Sequence, residues 1–76
     1  MKSCVIKLNA ISDVKTFVNL VATYDFDIDL VSGRYSIDAK SIMGIFSLDL
    51  TKPVTLNAHS DAADDLINKL EPFIVK

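Results

Sequence analysis

Tyr24-Asp25-Phe26-Asp27-Ile28-Asp29-Leu30-Val31 alternates apolar and acidic side chains residue by residue. A strand turns successive side chains to opposite faces. Phe26, Ile28 and Leu30 therefore share one side, and Asp25, Asp27 and Asp29 the other. The pattern predicts a strand buried on one face only, as in an antiparallel sheet with one wetted side. Ser32-Gly33 supplies a two-residue turn, and Arg34 to Asp38 returns as the hairpin partner.

Outward from that hairpin, the other elements follow from periodicity. Lys40-Ser41-Ile42-Met43-Gly44-Ile45-Phe46-Ser47-Leu48 predicts a short helix from about Ser41 to Leu48. Ser41 is placed to act as its N-cap, and a negative charge added there would meet the positive end of the helix dipole. Ile42, Met43 and Phe46 are more bulk than so short a helix easily buries. They form either a core-packing turn or a docking surface. Leu50 to Pro53 is a connection. Val54, Leu56 and Ala58 then alternate with Thr55, Asn57 and His59 in a fourth strand. Ser60 or Asp61 is the candidate cap of a last helix, with Ala63, Leu66, Ile67 and Leu70 on one face. Pro72 stops it near Glu71, leaving Phe73 to Val75 as a packed tail.

Upstream, Cys4 to Leu8 reads as a first strand. Ser12 and Asp13 start a helix running to about Thr23, with Val14, Phe17, Val18 and Val21 as its apolar stripe. The order β-α-β-β-α-β-α predicts an α+β, two-layer sandwich. A four-stranded antiparallel sheet carries three helices on one face, in a single domain spanning residues 1–76.

Composition excludes several classes of function. The net charge is −2 and no basic run occurs, which argues against a nucleic-acid surface. A single cysteine forbids an internal disulfide, and one cysteine with one histidine is a poor zinc set. No stretch has the pattern of a signal peptide or the length of a membrane span, so a cytoplasmic location is expected. Asp25, Asp27 and Asp29 fail as a calcium loop, because Leu30 stands where glycine is needed and Ser36 where glutamate is needed. A solvated strand face is the simpler account, with Arg34 or a neighbouring lysine as weak partners. Cys4 reads as a small core residue. The two glycines build no phosphate loop, and the one histidine lacks an evident triad. The expectation is a protein that is not an enzyme and holds no cofactor or metal.

Lys40 to Leu48 closely resembles the regulatory-serine segment of HPr, the phosphocarrier of the bacterial sugar phosphotransferase system. Tyr24-Asp25-Phe26-Asp27-Ile28 is similar to the second strand of that family, and the element order suits its open-faced sandwich over nearly the whole chain. HPr proteins carry a catalytic histidine just before the first helix, followed closely by an arginine. The histidine accepts phosphate from enzyme I, while the helix N-terminus and the arginine stabilise its charge. Counting back from Tyr24 without gaps puts Ala10 at the histidine position and Ser12 at the arginine position. A shift of one residue offers only Asn9 or Ile11. The resemblance therefore implies an HPr-like domain that has lost the carrier reaction on histidine. His59, at the end of the fourth strand, reads as an exposed polar residue. Ser12 and Asp13, near the lost site, read as a capping pair.

By the same resemblance, Lys40, Ile42, Met43 and Phe46 are candidate docking residues for phosphotransferase-system or regulatory proteins. Ser41 matches a serine that a dedicated kinase phosphorylates in HPr of many Gram-positive bacteria, where the phosphoserine binds a transcriptional repressor. The leading expectation is a regulatory or protein-binding module. Three others stand beside it. Ser41 is a phosphorylation target in carbon-source control; a residual carrier uses an unusual acceptor such as Asp13; or an assembly module uses the open sheet face or an edge strand.

Overall fold

The computed structural model describes residues 1–75. Along the chain run β1 (Lys2–Ile6), α1 (Ile11–Val21), β2 (Ile28–Ser32), β3 (Tyr35–Asp38), α2 (Ile42–Phe46), β4 (Val54–Ala58) and α3 (Asp64–Lys69). A 3-10 turn follows at Glu71–Phe73. The strands form one sheet in the order β1-β4-β2-β3, with every neighbour antiparallel. Architecture and element order are those expected.

Register decides which residues meet the helices. Cys4 lies opposite Leu56, Leu56 opposite Leu30, and Leu30 opposite Ile37, so this transverse row points inward. Ile6, Ile28, Leu30 and Leu56 are buried there with Val14, Phe17 and Val21 of α1, Ile45 of α2, and Leu66 of α3. Phe17 meets Phe73 edge-on, with ring centroids 6.5 Å apart. Burying a side chain of that size contributes about 1.5–3 kcal/mol by area alone. Among the described residues, no helix lies on the opposite face of the sheet.

Gly33 turns the β2–β3 hairpin with φ of 60°, and it is the only positive φ among the described residues. A positive φ at the first central position alone is the pattern of a type II′ turn, which glycine enters without strain.

Several boundaries differ from the sequence expectation, and the hairpin turn is one: it is Gly33-Arg34 rather than Ser32-Gly33, because Ser32 already pairs with Tyr35. Tyr24 to Asp27 is a turn, and β2 begins only at Ile28, where β4 first offers a partner at Ala58. Tyr24 and Phe26 still pack against the core, rings 5.5 Å apart, which is why their alternation imitates a strand. β1 runs Lys2–Ile6, with Leu8 buried just beyond it. Its outer edge is covered by the C-terminal tail: Lys7 N–H donates to the Phe73 carbonyl (2.8 Å) and Val75 N–H to that of Val5 (2.9 Å).

α1 starts at Ile11, so Ala10 is the N-cap and Ser12 lies inside the first turn. Three wholly buried anchors hold this helix, so its start is set by packing rather than by a capping side chain. α3 starts at Asp64 after Ala63, again without a side-chain cap. Ser60 serves the preceding turn instead, its Oγ accepting from Ala62 N–H at 3.0 Å. Ser41 does cap α2, accepting from Gly44 N–H at 3.2 Å.

Candidate functional site

The start of α1 and the last turn of α2 enclose a groove of about 420 Å³. Leu8, Ala10, Ile11, Val14, Phe46 and Leu50 line it. Ile11 is 65 % exposed, Phe46 43 % and Met43, one turn back on α2, 77 %. Three large apolar side chains left in water on one small helical surface are what a partner's apolar residues would cover.

At the α1 start the chemistry is spare. Ala10 is extended, and its carbonyl accepts from Asp13 N–H (3.0 Å) and Val14 N–H (3.2 Å). The Asp13 carboxylate reaches back to accept from Asn9 N–H at 3.1 Å. Lys7 Nζ donates to Asn9 Oδ1 at 2.9 Å on the groove's rim. No imidazole or guanidinium stands at this helix start. His59 follows Ala58, which pairs with Lys2 at the beginning of β1, whereas Ala10 lies beyond the end of β1. The length of the strand, about 17 Å, separates them. His59 is exposed and its Nε2 lies 2.6 Å from Asp29 Oδ2, so the partner the sequence left unseen is the last acid of the alternating stretch.

Ser41 stands at the other end of α2 from the groove, exposed, about 7 Å away along the helix axis. Its cap is closely fitted. A methyl on Gly44 would lie 3.3 Å from Ser41 Oγ and 3.4 Å from Ile37 Cδ1, so a side chain there would press on the cap itself. Ser47 Oγ closes the other end of the helix on the Gly44 carbonyl.

The remaining candidates divide. Ile42 is half-buried and joins the core, while Ile45 is fully buried. Lys40 does not stand free: its Nζ donates to the Tyr24 carbonyl at 2.7 Å. Tyr24 in turn donates its phenol to Asp65 Oδ2 at 2.7 Å, and Lys69 Nζ lies 3.5 Å from the same carboxylate. The phenol's bond holds the Asp65 carboxyl below its ordinary range, and the same bond raises Tyr24. The Asp65 charge raises Lys69. These contacts tie α3 and the chain before α2 to one corner, making Lys40 an anchor of that corner. Burial pushes the Cys4 thiol up, which suits the small inward residue expected there.

Ile11 is the surface residue that sequence reasoning missed. It falls before the expected helix start, and its signal is an isoleucine just ahead of a helix whose apolar stripe begins only at Val14. Leu50 was missed likewise, as part of a connection.

A family model described as the PTS HPr component phosphorylation site matches residues 13–76. The match begins after β1, Ala10 and Ser12, so it rests on the chain from Asp13 of α1 onward, with β2, β3 and β4 of the sheet. HPr-C-His from Thermoanaerobacter tengcongensis has a similar crystal structure, with TM-score 0.79 and 28 % identity over 95 % of this chain and 89 % of that one. A phosphocarrier protein HPr from Bacillus anthracis str. Ames superimposes with TM-score 0.74 over 97 % of this chain and 96 % of that one. Its 19 % identity speaks to the fold alone. No curated protein matched.

Proposed function

This chain belongs to the PTS HPr family, and from that membership we propose that it is a cytoplasmic protein-binding module of the phosphotransferase system that no longer carries phosphate on histidine. One observation carries the reading. Counting back from Tyr24 without gaps puts Ala10 and Ser12 at the positions where the resemblance calls for histidine and arginine, and the apolar side chains of Ile11, Met43 and Phe46 stand exposed beside them. HPr proteins pass phosphoryl groups between other proteins rather than turning over a substrate, so losing the acceptor leaves docking as the remaining activity.

In this reading Phe46 and Ile11 flank the groove that receives a partner's apolar side chain, Met43 extends the contact, and half-buried Ile42 supports it from below. Lys40 contributes by fixing the corner from which α2 starts. Met and aromatic side chains are enriched at such contacts because they bury much surface. The partner is a phosphotransferase-system protein or a regulator of it.

Incubation with phosphoenolpyruvate and enzyme I, followed by intact-mass measurement, tests the loss of chemistry. No acid-labile phosphate is expected, and stoichiometric labelling would refute the reading. Binding to enzyme I by calorimetry tests the surface, with Phe46→Ala expected to weaken it by about tenfold, the ordinary cost of removing a buried aromatic contact.

A second reading makes Ser41 a phosphorylation site, favoured by its exposed hydroxyl at the α2 cap. Phosphorylation would add about −1.5 to −2 of charge near Met43 and so alter docking. The HPr serine kinase with ATP is then expected to add one phosphate, absent in Ser41→Ala. No incorporation under conditions that label an authentic HPr would remove this reading.

A further inference from the structure

The helix-free face of the sheet carries a pattern that the docking surface does not use. Its side chains fall in transverse rows set by the register. Ser3, Asn57, Asp29 and Asp38 make one row, and Val5, Thr55, Val31 and Ser36 the next. The tail extends the second row, since Ile74 pairs with Ile6 and Val75 therefore lies beside Val5. Asp27 and His59 continue the face beyond the first row, where His59 N–H donates to the Asp27 carbonyl at 2.9 Å. Beyond the second row comes Arg34, in the turn before β3, while Lys7 follows β1 at the same end with its Nζ turned to Asn9 on the groove's rim. One end of the face is thus acidic, the other basic, and a stripe of three valines and a threonine separates them.

Two details sharpen this gradient. Val5 and Val75 are 41 % and 43 % exposed and Val31 and Thr55 half-buried, so the stripe is most open to water at its β1 end. Arg34, in the hairpin turn, and Asp38, at the end of β3, are both exposed and stand two residues either side of Ser36; Asp38 Oδ1 also accepts from Lys40 N–H at 2.9 Å. Among the described residues Arg34 makes no ion pair, and Asp29 is already held by His59.

We propose that this face pairs with the same face of a second copy of the chain, about a two-fold axis running along the valine row. That rotation reverses strand direction while keeping each strand over its own counterpart. Val5 then meets Val5, Val31 meets Val31, and Asp38 of each copy meets Arg34 of the other. A foreign partner would have to supply both the apolar stripe and the opposite gradient of charge. The face supplies both to itself, as a closed two-fold contact requires. Aligned sheets pack about 10 Å apart with their side chains interleaved. A face five strands wide, counting the tail, is roughly 24 Å by 20 Å. Two such faces bury on the order of 1,000 Å², the lower bound for a specific contact. The dimer is therefore weak, and its charge pairs make it salt-sensitive.

Sedimentation equilibrium and two-dimensional NMR on dilution from about 1 mM, at low salt, test it in a range suited to weak association. The expected result is a reversible dimer whose dilution shifts centre on Val5, Val31, Thr55, Arg34 and Asp38, and which weakens at least tenfold in about 0.5 M salt. Arg34→Asp and Asp38→Arg are each expected to abolish self-association by placing like charges across the axis. Mixing the two variants is expected to restore a heterodimer, which separates lost complementarity from lost folding. Val5→Glu, on an exposed site, is expected to abolish association in every background. A chain monomeric at about 1 mM overturns the proposal at the concentration where weak contacts are visible. So do dilution shifts centred on Ile11, Met43 and Phe46, or a mixture that fails to associate although both variants are folded.

Discussion

α1 and α2 border the same groove but are held in place by different means. α1 is eleven residues long, buries Val14, Phe17 and Val21 completely, and begins at Ala10 with no side-chain cap. α2 is five residues long, buries only Ile45, and begins at Ser41, whose hydroxyl accepts from Gly44 N–H. A helix of five residues cannot persist on propensity, so packing and cap must both serve it. The difference bears on what residue retention means. At the α1 start the fold asks nothing of the side chain, so an alanine can stand there at little cost. At the α2 start the fold asks for a capping oxygen, so a serine is explained before any kinase is considered.

The comparison can be broken by mutation, beginning with the anchors. Phe17→Ala is expected to lose about 3–5 kcal/mol of stability in urea unfolding, since it removes the largest fully buried side chain and its contact with Phe73. A loss under about 1 kcal/mol would mean that packing is not what holds α1. Ile45→Ala should cost about 2–3 kcal/mol, the lower part of the range for such truncations, because α2 frays rather than leaving a rigid cavity. Ser41→Ala should cost about 1 kcal/mol, the ordinary value of a lost hydroxyl cap, with amide exchange accelerated at Gly44. Ala10→Ser is predicted to stabilise by about 0.5 kcal/mol, because it supplies a cap to a helix that folds without one. If Ala10→Ser gained more than Ser41→Ala lost, the contrast between the two helix starts would be reversed.

The smallest expected effect concerns the corner behind Lys40. Asp65 titrates below its ordinary range when folded, so its contribution is present above the unfolded carboxylate range and lost as pH falls through the folded value. Tyr24 and Lys69 titrate above their ordinary values, so their contribution is present at neutral pH and lost as pH rises through the folded values. Tyr24→Phe should flatten both limbs of a stability-against-pH curve slightly, since all three groups are solvated. Unchanged limbs would show that the corner is held by the Lys40 bond and packing alone.

The architecture could be read ahead of the structure because each main element announces itself in a single period. Ile28-Asp29-Leu30 alternates as a half-buried strand, and Val14, Phe17 and Val21 recur as a helical stripe. Boundaries were less legible. Tyr24 and Phe26 alternate with acids as a strand would, but no neighbouring strand reaches them, and alternation alone records burial rather than pairing. Ser12, Asp13, Ser60 and Asp61 are good capping residues that cap neither α1 nor α3, because buried anchors fixed those starts elsewhere. On the surface, Met43 and Phe46 were legible as excess bulk on a short helix. Ile11 was not, because its exposure depends on where α1 begins.

By itself, the sequence determined the order of the elements, the wet and dry faces of the hairpin, the Ser41 cap and the absence of an imidazole or guanidinium near the first helix. These are local properties, written in the side-chain period and in the identity of single residues. Tertiary structure alone decided that Phe46 and Ile11 border one groove, that Lys40 is engaged with Tyr24, and that His59 pairs with Asp29 at the far end of the sheet. It also placed Asp38 and Arg34 at opposite ends of one open face. Each of these depends on strand register and on the meeting of distant segments, which no period along a single chain encodes.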